Sequence, residues 1–269
     1  MSYTLSKTAA QVDVALKDVY PHPLYHFHGY AGDQLLGDGR FLDRCGLFNH
    51  AQRGANLSDA QLFANAGYVS TVAPAGGATD SVLRLPNLNF DYVGGERLIG
   101  WWLGKMTAPA STMSWMGDGY TTTYAGLRFT ISSTGKVQIV AYQTGSSSFS
   151  SSSASTLADG TLHSFGFVID GSARKACMWV DEVVDSNFGG YTTVWAGGSY
   201  DTRNSNTWNI GHSAPNAAAE ATNGIVTQTR AFHLLRQSAT DTLPTSAAVT
   251  TLFQALRSNP SKPLLGSAF

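Results

Sequence analysis

Apolar and polar residues alternate along most of the chain after residue 67, in short runs that are separated by turn residues. Side chains of a β-strand point alternately to its two faces, so this period of two predicts strands with one face in a core. We predict nine strands, at residues 68–72, 81–85, 96–103, 126–132, 136–142, 163–169, 175–180, 207–210 and 225–235. The turn sequences STG at 133–135 and DGS at 170–172 predict antiparallel hairpins between neighbouring strands.

Two segments have the period of a helix instead. In residues 6–20 apolar side chains recur at steps of three and four, and prolines follow at 21 and 23. The apolar stripe of this segment consists of Ala9, Val12, Leu16 and Val19. A helix this short is marginal in water alone, so it docks either on its own domain or on copies of itself or a scaffold. We expect it to assemble the chain as a homo-oligomer, with a trimer favoured.

The second helical segment, residues 246–257, has one apolar face and ends before Pro260. We expect it to close the β domain. A serine-rich run at 145–155 (GSSSFSSSSAS) could be a linker, but its flanking strands look like neighbours in one sheet. We therefore predict an exposed hairpin loop there. The predicted organisation is an assembly helix and linker at 1–23 followed by one domain at 24–269.

Composition narrows the possible partners. The net charge is −1 and only 13% of the residues are charged, so there is no broad field to hold nucleic acid or an anionic membrane. No apolar run resembles a signal peptide or reaches the ~18 residues that cross a bilayer, so we expect a soluble chain that is made in the cytoplasm. Cys45 and Cys177 lie far apart in sequence, and we expect free, buried thiols.

Four sequence motifs resemble the laminin-G-like and pentraxin-like group of concanavalin A-like folds. They are DGTLHSFGFVIDG at 159–171, MWVD at 178–181, FLDRCG at 41–46 and NIG at 209–211, in the order and spacing of that group over residues 24–257. Leu162, Glu182 and His212 depart from the pattern, at a Trp and two Gly positions. The resemblance implies an all-β fold, a two-sheet antiparallel jelly-roll sandwich, which hosts many different functions.

The segment LSKTAAQVDVAL at 5–16 is similar to short helices that open or join modules in bacteriophage tail fibre and other virion proteins. This resemblance implies a non-catalytic virion structural protein, made in the host cytoplasm, that contacts other virion proteins and is able to bind host-surface glycan. A tail fibre, baseplate or receptor-binding component is the favoured form. Capsid decoration, a free carbohydrate-binding lectin and a glycoside hydrolase are the alternatives, the last disfavoured.

Catalytic chemistry finds little support in the sequence. Hydrolases of this fold resemble E-x-D-x-x-E along one strand, and none of Glu96, Glu182 and Glu220 has that pattern. Asp181, Glu182 and Asp185 could form an acid pair or a calcium site, but a solvated turn is the preferred interpretation. We assign no catalytic residue. No G-x-S-x-G motif supports a serine nucleophile, and we interpret His163 as structural.

Histidines cluster near the start of the domain. His26 and His28 would share one face of a strand, and His22 precedes them, a spacing that occurs in some zinc and iron sites. No cysteine or carboxylate lies close by in sequence, so we prefer sheet-surface or subunit-contact histidines. We therefore predict no metal and no cofactor.

Glycan binding requires exposed aromatic faces and nearby groups that bond to hydroxyls. The favoured candidate set lies in one Gly-rich segment: Tyr191, Trp195, Tyr200, Asp201, Arg203 and Asn204. A second group of loop aromatics is Trp115, Tyr120 and Tyr124. The alternative is that these aromatics fill a core or an interface. Trp101 and Trp102 are neighbours in one strand, so one should face the core and the other a neighbouring layer or subunit.

Overall fold

A computed structural model of the chain describes residues 23–30, 52–53, 69–72, 83–85, 95–117, 126–143, 146–193, 208–210, 226–238 and 242–260. These residues form two antiparallel sheets and one helix near the C-terminus, which confirms the predicted all-β sandwich. The predicted N-terminal helix, its apolar stripe, His22 and Cys45 lie outside the described residues.

The described strands and the helix have the following bounds in chain order: β1 Pro23–Tyr30, β2 Gln52–Arg53, β3 Val69–Val72, β4 Leu83–Leu85, β5 Glu96–Thr107, β6 Met113–Gly117, β7 Gly126–Ile131, β8 Lys136–Gln143, β9 Ser146–Thr156, β10 Asp159–Asp170, β11 Lys175–Val180, β12 Val183–Val184, β13 Thr192–Thr193, β14 Trp208–Ile210, β15 Val226–Ser238 and α1 Ser246–Ser258. One sheet has the order β1-β15-β5-β10-β11-β12, with β3 also on β15 and β13 also on β11. The other has the order β2-β4-β14-β6-β7-β8-β9.

All nine predicted strands are present, although several ends differ by a few residues. Two loop predictions are wrong. The serine-rich run is not a hairpin loop, because residues 146–156 form β9 and pair with β8. Backbone hydrogen bonds hold a strand whatever its side chains are, so a neighbouring strand overrides the low β propensity of serine.

The second wrong prediction concerns Trp115, which is not a loop aromatic. It lies in β6 and is 1% exposed. A register shift between Ser114 and Met116 interrupts the pairing of β6 with β7 at this residue. The single alternation period that sequence analysis relies on is broken by such a bulge, which is why β6 was not predicted.

The core between the sheets consists largely of aromatic rings. Trp102 of β5 lies edge-on to Trp115 at a centroid distance of 4.9 Å, and Trp115 lies 5.4 Å from Phe165. Phe165 in turn lies 5.5 Å from Phe129 of the opposite sheet. Trp102 donates from Nε1 to Thr229 Oγ1 at 3.0 Å, so its polar atom is satisfied inside the core. Such edge-to-face contacts stabilise the sandwich beyond the burial of apolar area.

The helix α1 covers the other face of the eight-stranded sheet. Phe253 lies 5.3 Å from the Trp179 ring, and Trp179 Nε1 donates to Thr250 Oγ1 at 2.8 Å. A Cβ added to Gly166 would lie 2.2 Å from Phe253, so the absence of a side chain there lets the helix approach the sheet. Trp101 is the register neighbour of Gly166 on this face and is 1% exposed. The alternation expected for Trp101 and Trp102 is confirmed, and α1 closes the domain as predicted.

A buried ion pair links the start of β5 to the end of β10. Arg97 Nε and Nη2 donate to Asp170 Oδ2 at 3.0 and 2.8 Å, and Arg97 is 1% exposed. Asp170 Oδ1 also accepts from the Ala173 amide at 2.7 Å, which holds the β10–β11 turn. A buried charge of this kind is tolerated because it is paired and hydrogen-bonded on several sides.

Cys177 lies in the core as a free thiol, as expected, and burial raises its pKa to about 12. Within the described part of the chain, no helix combines the length and the apolar character that crossing a bilayer requires.

Candidate functional site

A cluster of polar side chains lies where β10 begins and β11 ends. This histidine–carboxylate cluster consists of Asp159, Thr161, His163, Ser164, Asp181 and Glu182. The pairing of β10 with β11 brings the two ends of the sequence motif together, because Phe165 is the register partner of Val180. The Asp181 amide donates to the Ser164 carbonyl at 3.0 Å. The sheet therefore positions the cluster.

Asp181 and Glu182 form the two-residue turn between β11 and β12 and have φ values of 49° and 61°. Two successive left-handed residues are the geometry of a type I′ hairpin turn, which usually contains Asn or Gly. Here side-chain bonds hold the turn instead. Asp181 Oδ1 accepts from the Ser164 amide at 3.0 Å, and Glu182 Oε1 accepts from Ser164 Oγ. These bonds offset part of the backbone strain.

The imidazole of His163 lies between two carboxylates. Its Nδ1 is 2.7 Å from Asp181 Oδ2, and its Nε2 is 3.1 Å from Asp159 Oδ1. Partial burial would by itself lower the pKa of His163, but the hydrogen bonds to Asp181 and Asp159 and their negative charges outweigh it and raise the pKa. The geometry therefore favours an imidazolium that donates from both nitrogens.

Asp159 is the most heavily bonded carboxylate of the cluster. Its Oδ1 accepts from the Thr161 amide and from Thr161 Oγ1, both at 2.8 Å. These two bonds, followed by the one from His163, lower the pKa of Asp159 to about 2. The side chain is 45% exposed, so the carboxylate also faces solvent. It can accept hydrogen bonds from a ligand without losing its internal ones.

Thr161, His163 and Asp181 lie in the order of a nucleophile, a base and an orienting carboxylate. Thr161 Oγ1 is 2.9 Å from His163 Nε2. Asp159 accepts a hydrogen bond from the Thr161 hydroxyl, and its hydrogen bond and negative charge help to raise the pKa of His163. An imidazolium has no lone pair with which to take a proton. His163 and its two carboxylates form an ionic clamp that ties the start of β10 to the turn after β11.

Glu182 is partly buried, and its pKa is raised. Burial is the largest cause, while the hydrogen bond from Ser164 and the positive charge of Arg257 oppose it. Arg257 reaches the same corner from α1, where Nη2 lies 3.4 Å from the Leu162 carbonyl. The Glu182 carboxylate thus lies near the boundary between α1 and the eight-stranded sheet.

The prediction of a solvated turn holds for Asp181, which is 44% exposed, but it is wrong for Asp185. Asp185 is 3% exposed and accepts from the backbone amides of Ala154, Ser155 and Asn187 at 2.9–3.1 Å. The residues next to Asp185 in sequence are typical of a surface loop. In the structure its carboxylate lies against the backbone of β9 instead. Among the described residues, no group of three His, Cys, Asp or Glu side chains is arranged to hold a metal ion.

Of the six predicted glycan-binding residues, the structure describes only Tyr191. Its ring is partly buried and lies 6.5 Å from Trp179, edge-on. Its hydroxyl is buried and has no hydrogen-bond partner among the described residues, and burial raises its pKa. Tyr191 therefore joins its segment to the core. The other five, Trp195, Tyr200, Asp201, Arg203 and Asn204, lie outside the described residues, as do Tyr120 and Tyr124.

The histidines of β1 occupy alternate positions, as predicted from their spacing. His26 is the register partner of Leu235, and His28 is the register partner of His233.

Sequence analysis missed Asp159 and Thr161 as members of the histidine–carboxylate cluster. The signal was present, because an Asp followed two residues later by Thr is the pattern of a local side-chain-to-backbone turn.

Comparison with known proteins identifies the fold. No protein-family model matches the sequence, and no curated protein sequence matches it. A structure of botulinum neurotoxin type C, reported to depend on two ganglioside molecules for entering cells, is similar over 90% of this chain and 53% of that chain, with a TM-score of 0.58 and 12% identity.

Two further structures show the same architecture. The binding domain of botulinum neurotoxin DC in complex with SialylT has a TM-score of 0.53 and 11% identity over 80% of this chain and 48% of that chain. Trypanosoma rangeli sialidase has a TM-score of 0.51 and 14% identity over 94% of this chain and 38% of that chain. The chain thus spans about half, or less, of the length of these proteins, and the similarity shows a shared β-sandwich.

Proposed function

We propose that this chain is a non-catalytic glycan-binding module that presents its β-sandwich to a cell surface. The observation that carries the proposal is the similarity, over 90% of the chain, to a neurotoxin structure that interacts with gangliosides. A second similar structure is a binding domain in complex with SialylT. Since a shared fold alone does not transfer function, the chemistry of the chain has to supply the rest.

The segment that follows Tyr191 supplies that chemistry. Trp195 and Tyr200 offer aromatic faces for the apolar side of a sugar ring, and Asp201, Arg203 and Asn204 offer hydrogen-bonding groups for hydroxyls. The segment starts from a rigid base, because β13 pairs with β11 and the Tyr191 ring lies against Trp179. A ligand-contacting side chain such as Tyr191 that a sheet already holds in place loses less conformational entropy on binding.

The described titratable groups favour binding over hydrolysis. A glycosidase needs two carboxyl groups that are free to act on substrate. Asp185 is engaged by backbone amides and Glu182 by Ser164, while the half-exposed carboxylates of Asp159 and Asp181 are both bonded to His163. The sialidase neighbour makes a glycosidase the second candidate function.

The finer proposal concerns the biological setting. The similarity of residues 5–16 to helices of bacteriophage virion proteins supports a tail fibre or baseplate component whose N-terminal stripe assembles copies of the chain. Host-surface glycan would then be the ligand, and other virion proteins would be partners. A capsid decoration protein and a free lectin remain the competing settings.

The test is a binding measurement on immobilised glycans, sialylated and unsialylated, and on ganglioside vesicles. We expect Trp195→Ala combined with Tyr200→Ala to weaken binding about tenfold or more, equivalent to ~1.4 kcal/mol, while the melting temperature stays unchanged. Val183→Ala is the control, because Val183 is 67% exposed and lies in the hairpin at the other end of β11. Equal binding by the double variant would refute the site. Sugar release by the wild type that Glu182→Gln abolishes would replace binding with hydrolysis.

A further inference from the structure

The strand β1 stands at one end of the strand order of the eight-stranded sheet and pairs with β15. The register of the two strands is continuous from Tyr25 to Tyr30, because the single irregularity falls between Pro23 and Tyr25. Residues of a continuous strand alternate between its two faces, so His26 and His28 share one face. Of β1 the structure describes the backbone and the register but no side chains, so the absence of a metal-binding group among the described side chains leaves these two histidines open.

The same register places a third histidine on that face. His28 is the partner of His233 in β15, and residues directly opposite each other in an antiparallel pair share a face. His26 is the partner of Leu235, so it lies diagonally across from His233. Three of the seven histidines of the chain therefore occupy neighbouring positions on one face of two paired strands. We call His26, His28 and His233 the histidine triplet.

The spacing within the histidine triplet suits a shared metal ion. Directly opposite residues of an antiparallel pair have Cβ atoms about 4.5–5.5 Å apart, and diagonal neighbours lie about 7–8 Å apart, within reach of ring side chains. Zinc is bound by imidazole nitrogens at about 2.0–2.1 Å, and three histidines with one water complete a tetrahedron around it. The triplet thus has the ligand type and the ligand number of a zinc site.

The surroundings of His233 favour such a site. His233 is 0% exposed, and Trp101 and Leu235, which share its face, are each 1% exposed. An apolar shell of this kind limits the access of solvent to a metal ion. Like charges directly opposite each other destabilise a strand pair, so two imidazolium ions at positions 28 and 233 would be unfavourable. Two neutral imidazoles are the form that binds a metal ion.

We propose that the histidine triplet is a Zn²⁺ site that ties the edge strand β1 to β15. Sequence analysis preferred no metal because His26 and His28 have no further ligand close by in sequence. The register supplies the missing ligand from β15, far along the chain. Imidazole ligands suit zinc and the neighbouring transition metals, whereas calcium and magnesium prefer oxygen. The site is independent of the glycan-binding proposal.

The test is a zinc-binding measurement on the full-length chain. After removal of metal with EDTA, equilibrium dialysis against Zn²⁺ should give one tightly bound ion per chain. Loss of an outer partner of a metal ligand weakens metal affinity roughly 10–100-fold. His26→Gln, His28→Gln and His233→Gln each remove a ligand itself, so each should weaken zinc affinity by more than that. His163→Gln is the matched control, because it removes a histidine that is bonded to two carboxylates elsewhere in the sheet and should leave zinc affinity unchanged.

A folded His26→Gln or His28→Gln variant that binds zinc as tightly as the wild type would overturn the proposal, as would a wild type that binds none. These two variants keep the test decisive if His233→Gln, a change at a fully buried position, does not fold.

Cobalt locates the site in the wild type without any substitution. Paramagnetic Co²⁺ in place of zinc should broaden the amide NMR signals of Gly29 and Leu234, which adjoin the triplet, and leave those of Thr161 and Asp181 sharp. If none of the variants folds, this pattern supports the proposal, and broadening confined to other residues refutes it.

Discussion

Replacing Asp185 with alanine should destabilise the sandwich strongly, because this carboxylate joins β9 of one sheet to the segment after β12 of the other. The substitution removes the acceptor of three backbone amides, those of Ala154, Ser155 and Asn187. Hydrogen bonds to a charged group contribute about 1.5–3 kcal/mol each. The substitution also removes the desolvation penalty of a buried carboxylate, which offsets part of that loss of stability. We expect a net loss of about 3–5 kcal/mol in the free energy of unfolding, or roughly 10 °C in melting temperature.

Urea denaturation and calorimetry check this magnitude, and two milder variants calibrate it. Asp185→Asn retains one acceptor oxygen, so the stability of this variant should lie between that of Asp185→Ala and that of the wild type. Asn187→Ala removes one exposed side-chain bond to the Ser152 carbonyl and should cost no more than about 1 kcal/mol. A loss of stability that decreases in the order Asp185→Ala, Asp185→Asn, Asn187→Ala would show that the carboxylate supplies the stabilisation. An Asp185→Ala variant that melts within about 2 °C of the wild type would show that the amides find other acceptors, and the reasoning would fail.

Three further predictions concern the helices and the ionic clamp. Gly166→Ala should lower the free energy of unfolding by about 1–3 kcal/mol, since its Cβ would lie 2.2 Å from Phe253. Adding Phe253→Leu should restore part of this stability. A melting temperature that calorimetry finds unaltered contradicts the contact. Because the pKa of His163 is raised, its stabilising contribution is present below pH 6.5 and is lost as pH rises through the higher pKa of the folded state. The difference in unfolding free energy between the wild type and His163→Gln should therefore shrink between pH 5.5 and pH 9. A difference that stays constant in urea titrations rejects the clamp. Leu16→Asp should reduce the particle mass in light scattering if the N-terminal stripe joins copies, whereas a lower melting temperature at unchanged mass would indicate docking on the chain's own domain.

Much of the sandwich could be predicted because strand formation leaves a local trace. The run that became β10 alternates apolar and polar residues and ends at a turn sequence, so its existence and its antiparallel partner β11 follow from neighbours in the chain. The same holds for β7 and β8, which the STG turn joins. Strand ends were less predictable. β5 extends to Thr107 because β10 and β15 continue to offer backbone partners, and the sequence of β5 alone does not show this.

The candidate site was only partly predictable for a related reason. Asp159, Thr161 and His163 are close in sequence, and their contact needs only a local turn. Asp181 reaches His163 from a different strand, so that contact depends on the register of β10 with β11. The burial of Asp185 was harder still to predict, because two of its three amide partners, Ala154 and Ser155, lie about thirty residues earlier in the chain.

The sequence by itself determined the all-β class, the order of most strands, the closing helix and the alternation of Trp101 and Trp102, because each depends on periodicity and turn chemistry within a few residues. The tertiary structure alone decided that serines form the edge strand β9, that Trp115 enters the core and that Asp185 is buried. Trp115 and Asp185 are held by contacts from segments far away in sequence, and no short window of sequence contains both partners. β9 forms because backbone pairing with its chain neighbour β8 outweighs the low strand propensity of serine.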